Sequence, residues 1–192
     1  INFDHMDLTA PGSLQNISIA PAGWTGGGEW DIEWTDPADK SGISALWYTL
    51  GGRPANRKDG TRVEVDGGNT HTLTINPSDL EQGPQSLHLW LEDEAGNIGV
   101  QNLVTKQVKF DSEPPTGEVD IENGEATTNS LSVELSLLAS DPGADRSPGS
   151  GSGVTGVTLS NDGDHWSQPR EYKNTLSWPL YGYGGDTSAG VK

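Results

Sequence analysis

Apolar and polar residues alternate along most of this chain, with the period of two that marks strands having one buried face. In Asn16–Ile19, Ile17 and Ile19 share a face. In "EWDIEW", Glu29 to Trp34, Trp30, Ile32 and Trp34 share one face and acids take the other. "ISALWYTL", Ile43 to Leu50, is apolar on both faces, the signature of a central strand. Further alternations align Val63 with Val65, Leu73 with Ile75, Leu87 with Leu89 and Leu91, and Val104 with Val108 and Phe110. The chain is predicted to be all-β, and about seven strands in roughly one hundred residues is the spacing of an immunoglobulin-like sandwich.

The pattern then restarts. Val119 pairs in phase with Ile121, and Leu131, Val133, Leu135, Leu137 and Ala139 form one long alternation. Ser140–Gly153, "SDPGADRSPGSGSG", is a loop whose composition resists packing. Val157 and Leu159 lead to the turn residues Asn161-Asp162-Gly163, and Leu176, Trp178 and Leu180 alternate after them. Nothing in this second half matches "SLHLWLEDEAGN" and "VTKQVKFD" of the first. The second sandwich is therefore expected to be incomplete at its C-terminus. Its last strands would come from a continuing chain, from a cleaved remainder or from a neighbouring molecule, and the continuing chain is the preferred source.

Between the halves lies "KFDSEPPTG", Lys109 to Gly117. Two adjacent prolines fix two φ angles and hold the residue before them extended, so this segment reads as a stiff spacer. "NFDHMDLTAPGS", Asn2 to Ser13, is a weaker echo of it. The predicted organisation is a tail or linker from a preceding repeat over 1–12, a sandwich over 13–111, a Pro-Pro linker over 112–116 and a second sandwich over 117–192. The start at Ile1 without Met adds the expectation of a longer parent.

Composition narrows the function. The 192 residues carry 28 Asp and Glu against 11 Lys and Arg, a net charge of −17. Nucleic acid and anionic lipid both require clustered cations, so neither is an expected partner. There is no cysteine, hence no disulfide and no thiolate metal site. No apolar run is long enough to insert as a membrane helix.

Catalytic signals are absent from the motifs. His5, His71, His88 and His165 stand in no hydrolase or zinc pattern, and His71 and His88 are expected on outward strand faces. Carboxylates are plentiful, but a glycosidase also needs a cleft that a small sandwich rarely supplies. Calcium is the one cofactor with candidate ligands, because it takes six to eight oxygens from carboxylates and carbonyls. Asp111 and Glu113 at the joint, with Asp36, Asp39 or Asp93 from loops at a sandwich end, form the first candidate set. Asn161–Asp164 with Asp141 or Asp145 forms a second, which reads more simply as a tight turn. Among seven tryptophans, Trp30, Trp34 and Trp178 read as core, while Trp90 and Trp166 are candidates for stacking on a sugar. The sequon Asn16-Ile17-Ser18 falls in a predicted strand and reads as chance.

The segments "PAGWTGGGEWDIEWTDPADKSGISALWYTLGGRP", "LWLEDEAGNIG" and "KFDSEPP" resemble a tandem immunoglobulin-like repeat of large bacterial secreted and cell-surface proteins. "GEVDIENGEATTNSLSVELSLLASD" and "SGVTGVTLSNDGDHWSQPREY" resemble a related repeat of the same arrays. The family's D-x-A-G-N turn appears once, as Asp93 to Asn97. The loop Ser140–Gly153 is longer than the family's usual one. The resemblance implies a non-catalytic spacer or adhesion segment, extracellular or at the cell surface. Its partners would be neighbouring repeats, copies of itself or surface glycans. The alternatives are a carbohydrate-binding module attached to a secreted enzyme, or a subunit of an extracellular filament or surface layer.

Overall fold

The computed structural model describes residues 6–141 and 151–180, and the chain divides into two compact units, Ile1–Ser112 and Glu113–Lys192. The first unit contains eight strands: β1 (Gln15–Ala20), β2 (Trp24–Thr25), β3 (Trp30–Thr35), β4 (Ile43–Leu50), β5 (Thr61–Glu64), β6 (Thr70–Ile75), β7 (Gly83–Asp93) and β8 (Val104–Phe110). They form an antiparallel sheet of order β1-β3-β6 and a five-stranded sheet of order β2-β8-β7-β4-β5, in which the short β2 runs parallel to β8. The chain is all-β, as the alternation predicts.

The alternation also determines the core. Trp30, Ile32 and Trp34 are buried from β3, while Asp31 and Glu33 between them are exposed. Register sets Ile32 opposite Leu73 and Trp30 opposite Ile75. From the other sheet Leu46, Leu87, Leu89, Leu91 and Val108 close against them. Each such side chain contributes roughly 1.5–3 kcal/mol by leaving water.

β4 is apolar on both faces because it serves two cores. Its outward Trp47 packs with Trp90 and Ile98 in a separate cluster. The two indoles stack with centroids 6.4 Å apart and planes 16° apart. Trp90 Nε1 donates to the Arg57 carbonyl at 3.0 Å, which draws the β4–β5 loop over the ring. At Gly60 that loop passes so close that a Cβ would lie 2.6 Å from the Tyr48 oxygen and 2.8 Å from the Trp90 ring. The Glu92 carboxylate accepts Trp47 Nε1 at 2.7 Å and Arg62 Nε at 2.9 Å and completes this outer layer.

The second unit contains β9 (Thr116–Ile121), β10 (Ser132–Ser140), β11 (Gly156–Val157), β12 (Arg170–Glu171) and β13 (Thr175–Pro179). β9, β10 and β13 make an antiparallel sheet of order β13-β10-β9, and among the described residues β11 pairs only with β12. Val133, Leu135, Leu137 and Trp178 are its buried core, with Val157, Leu159, Tyr172 and Leu180 packed against them. The Tyr172 hydroxyl accepts from the Ala139 amide at 2.9 Å and donates to the Leu137 carbonyl at 3.2 Å, fixing the strand above that core. Two residues of the predicted alternations do not face the core. Leu131 precedes β10 and is 75% exposed, and Val119 at the sheet edge is 52% exposed.

Gly60→Ala is expected to lower the stability of the first unit by about 1–3 kcal/mol, because the neighbours are backbone and a packed ring that must shift. Gly23→Ala, with nothing within 4 Å of the added carbon, serves as the control. Equal denaturant midpoints for the two variants would show that the loop does not bear on Trp90.

Candidate metal centre

The D-x-A-G-N turn closes as a set of backbone and carboxylate bonds. Asp93 N donates to Asn97 O and Gly96 N donates to Asp93 O, both at 3.1 Å. Gly96 has φ 83°, a region that favours glycine. The Asp93 carboxylate is buried and accepts Asn97 N and Asn97 Nδ2, each at 2.8 Å. A second loop end is built alike. Asp39 Oδ1 accepts Ser41 N at 3.0 Å, Ser41 Oγ at 3.2 Å and Gly42 N at 3.2 Å.

The third component is the N-terminal segment. Asn97 Nδ2 donates to Asp7 O at 3.1 Å, and Lys40 Nζ donates to Met6 O at 3.1 Å. Asn102 Nδ2 donates to Pro11 O at 2.7 Å, Ser13 Oγ donates to Asn102 O at 2.7 Å, and Leu14 enters the core. Residues 6–14 are therefore strapped along the first unit, whereas the sequence reads 1–12 as a tail. Asp7 Oδ1 accepts Thr9 N at 3.0 Å and Oδ2 accepts Ser41 N at 3.1 Å.

The result is three carboxylates, Asp7, Asp39 and Asp93, with oxygens within 4.8 Å of one another. The amide of Thr9 first, then the Ser41 bonds and the charge of Lys40, hold the Asp7 carboxyl below its ordinary range. Three negative groups at this spacing repel one another, and a hard dication would relieve that repulsion. These three residues could hold such an ion.

The arrangement brings together two of the residues predicted from sequence, Asp39 and Asp93. Asp36 is elsewhere: its oxygens accept Trp34 Nε1 at 3.2 Å and bond His71 Nε2 at 2.9 Å. Asp111 is buried after β8, where its amide donates to Thr25 O, and Glu113 opens the second unit. Neither is in the cluster. Asp7, which sequence reasoning missed, lies in the acidic N-terminal echo.

In the turn at Asn161–Asp164, the Asp162 carboxylate accepts Asp164 N at 2.9 Å and His165 N at 2.8 Å, and bonds His165 Nδ1 at 2.7 Å. The His165 bonds first, then Asp164 N, hold the Asp162 carboxyl far below its ordinary range, and Asp162 in turn raises His165. The carboxylate is thus a turn builder. Asp141 Oδ2 accepts Ser152 Oγ at 2.9 Å and Gly153 N at 2.6 Å, while Asp145 lies outside the described residues.

His71 is not on an outward face: it shares the inward phase of Leu73 and Ile75 and is only 7% exposed. His88 has the outward phase of Trp90, as expected, but it too is only 7% exposed and bonds Thr105 at 2.8 Å. Trp90 does point away from Leu89 and Leu91, but the roof over it leaves 0% exposed, so it has no face for a sugar. Trp166 is 61% exposed. No helix among the described residues is long and apolar enough to cross a membrane. No family model matches the chain, and no curated protein matches it.

Because the folded Asp7 carboxyl titrates below its unfolded value, its contribution is present above the unfolded value. It is lost as pH falls through the folded one. Between about pH 6 and about pH 2, the strap is expected to loosen and the Ser41 amide to lose hydrogen-exchange protection. Protection that is the same at both ends of that range would mean Asp7 does not hold the strap.

Proposed function

We propose that the chain is a non-catalytic structural segment, a spacer or adhesion repeat of a bacterial extracellular surface protein. The observation that carries this reading is the use made of the polar groups in the first unit. Asp93, Asn97, Asp39 and Asn102 all hold loops and the residue 6–14 strap at the sandwich surface. His71 is bonded to Asp36, and Glu92 to Trp47 and Arg62, so these groups too serve the architecture. The bacterial surface setting comes from the sequence resemblance. A hydrolase activity in the purified chain, abolished by one carboxylate substitution, contradicts the proposal.

Calcium belongs to this reading as a clip at Asp7, Asp39 and Asp93. An ion that binds only the folded form stabilises it by mass action, about 2.7 kcal/mol at a hundredfold excess over Kd. The first unit is therefore expected to melt higher in Ca²⁺ than in chelator, and Asp39→Asn should remove the difference. An unchanged melt removes calcium from the account and leaves the structural role standing.

A carbohydrate-binding role is the second reading, and the exposed ring of Trp166 favours it. Glycan-array binding that Trp166→Ala reduces at least tenfold would promote it. Binding unaffected by that change, or no binding, returns Trp166 to the ordinary surface.

A further inference from the structure

The two units share the first part of one plan. Each has a three-stranded antiparallel sheet, β1-β3-β6 in one and β9-β10-β13 in the other. In each, the chain leaves the middle strand, β3 or β10, and reaches a Ser-Gly pair before its next strand. Gly42 ahead of β4 has φ 90° and Gly153 ahead of β11 has φ 89°. In each pair an aspartate carboxylate accepts both the serine hydroxyl and the glycine amide, Asp39 in the first unit and Asp141 in the second. Counting from these glycines, Val157 stands at the place of Leu46 and Leu159 at the place of Tyr48. β11 is the counterpart of β4.

The counterparts differ in their partners. β4 pairs with β5 on one edge and with β7 on the other. Among the described residues β11 pairs with β12 alone. Tyr172 N donates to Thr155 O and Ser167 N donates to Leu159 O, so Thr155 and Leu159 also face the β12 side. Backbone groups alternate in direction along a strand, which turns those of Gly156 and Thr158 to the other edge. Among the described residues no strand pairs with that edge. Sheet edges that stay open in water are normally guarded by charge, proline or a bulge. The stretch Thr155-Gly156-Val157-Thr158-Leu159 has neither a charged residue nor a proline, whereas the edge strand β9 carries Glu118 and Asp120.

We infer that the free edge of residues 155–159 is an acceptor for an antiparallel β-hairpin of the β7–β8 kind, contributed from outside the described residues. The first unit specifies its chemistry. β7 sets Leu91 opposite Leu46 and Leu89 opposite Tyr48. The incoming strand accordingly carries Leu-sized residues opposite Val157 and Leu159, and a second strand covers its outer edge. This inference rests on reading the two units as repeats of one plan.

The test uses the full chain and a synthetic peptide with the sequence of Gly83–Phe110. Peptide in excess is expected to slow exchange of the Gly156 and Thr158 amides by about tenfold or more. A scrambled peptide should leave them unchanged. Thr158→Pro removes an edge donor and should abolish the effect while β10 amides stay protected, which separates loss of docking from loss of fold. Unchanged exchange, or protection at β9 in place of β11, overturns the inference. So does self-association of the chain that protects the same amides without peptide, because a second copy would then be the occupant. None of these outcomes alters the calcium result, so failure here is distinguishable from failure of the structural reading.

Discussion

Strand β7 is paired along both edges, to β4 and to β8, and the first unit is arranged around it. Its inward Leu87, Leu89 and Leu91 close the main core against Trp30, Ile32 and Trp34. Its outward Trp90 supports the second cluster with Trp47 and Ile98. Its last residue, Asp93, begins the turn that holds Asn97, and Asn97 holds Asp7. One strand therefore links hydrophobic burial, the roofed outer layer and the acidic end. Displacing it would uncover two cores and release the strap together.

The proposed spacer role draws on that economy, in which Asp93, Asn97 and Asp39 are bonded to backbone groups of the loops they hold. The acidic end is a different matter, because Asp7, Asp39 and Asp93 converge there with oxygens within 4.8 Å of one another. A cation there would turn mutual repulsion into a tie between the strap and two loops. Among the described residues the second unit's core has four buried apolar residues, against eleven in the main core of the first.

Much of this was legible in local pattern. The period of two identified β3, β6 and β7 with their inward residues, and the two-sided apolar run identified β4 as central. What escaped were features set by distant chain. β2 is two residues long and exists only through its parallel pairing with β8. Trp90 has the phase of an exposed residue, and its burial depends on "GGRPANRKDG", which reads locally as a polar turn. Asp7 joins Asp93 through a bond spanning 90 positions, and no short-range signal encodes that. Asp36 and Asp39 are equivalent to the eye, yet the first lies beside His71 and the second above Ser41 and Gly42.

The most direct test of the account is native-state hydrogen exchange along β7. If β7 is the element on which the first unit depends, the amides of Leu89, Trp90 and Leu91 can exchange only through global unfolding. Their opening free energy should then equal the unit's unfolding free energy measured by denaturant, and should be no lower than that of Ile32 in β3. Exchange of the β7 amides through a cheaper local opening, with Ile32 still protected, would contradict the claim.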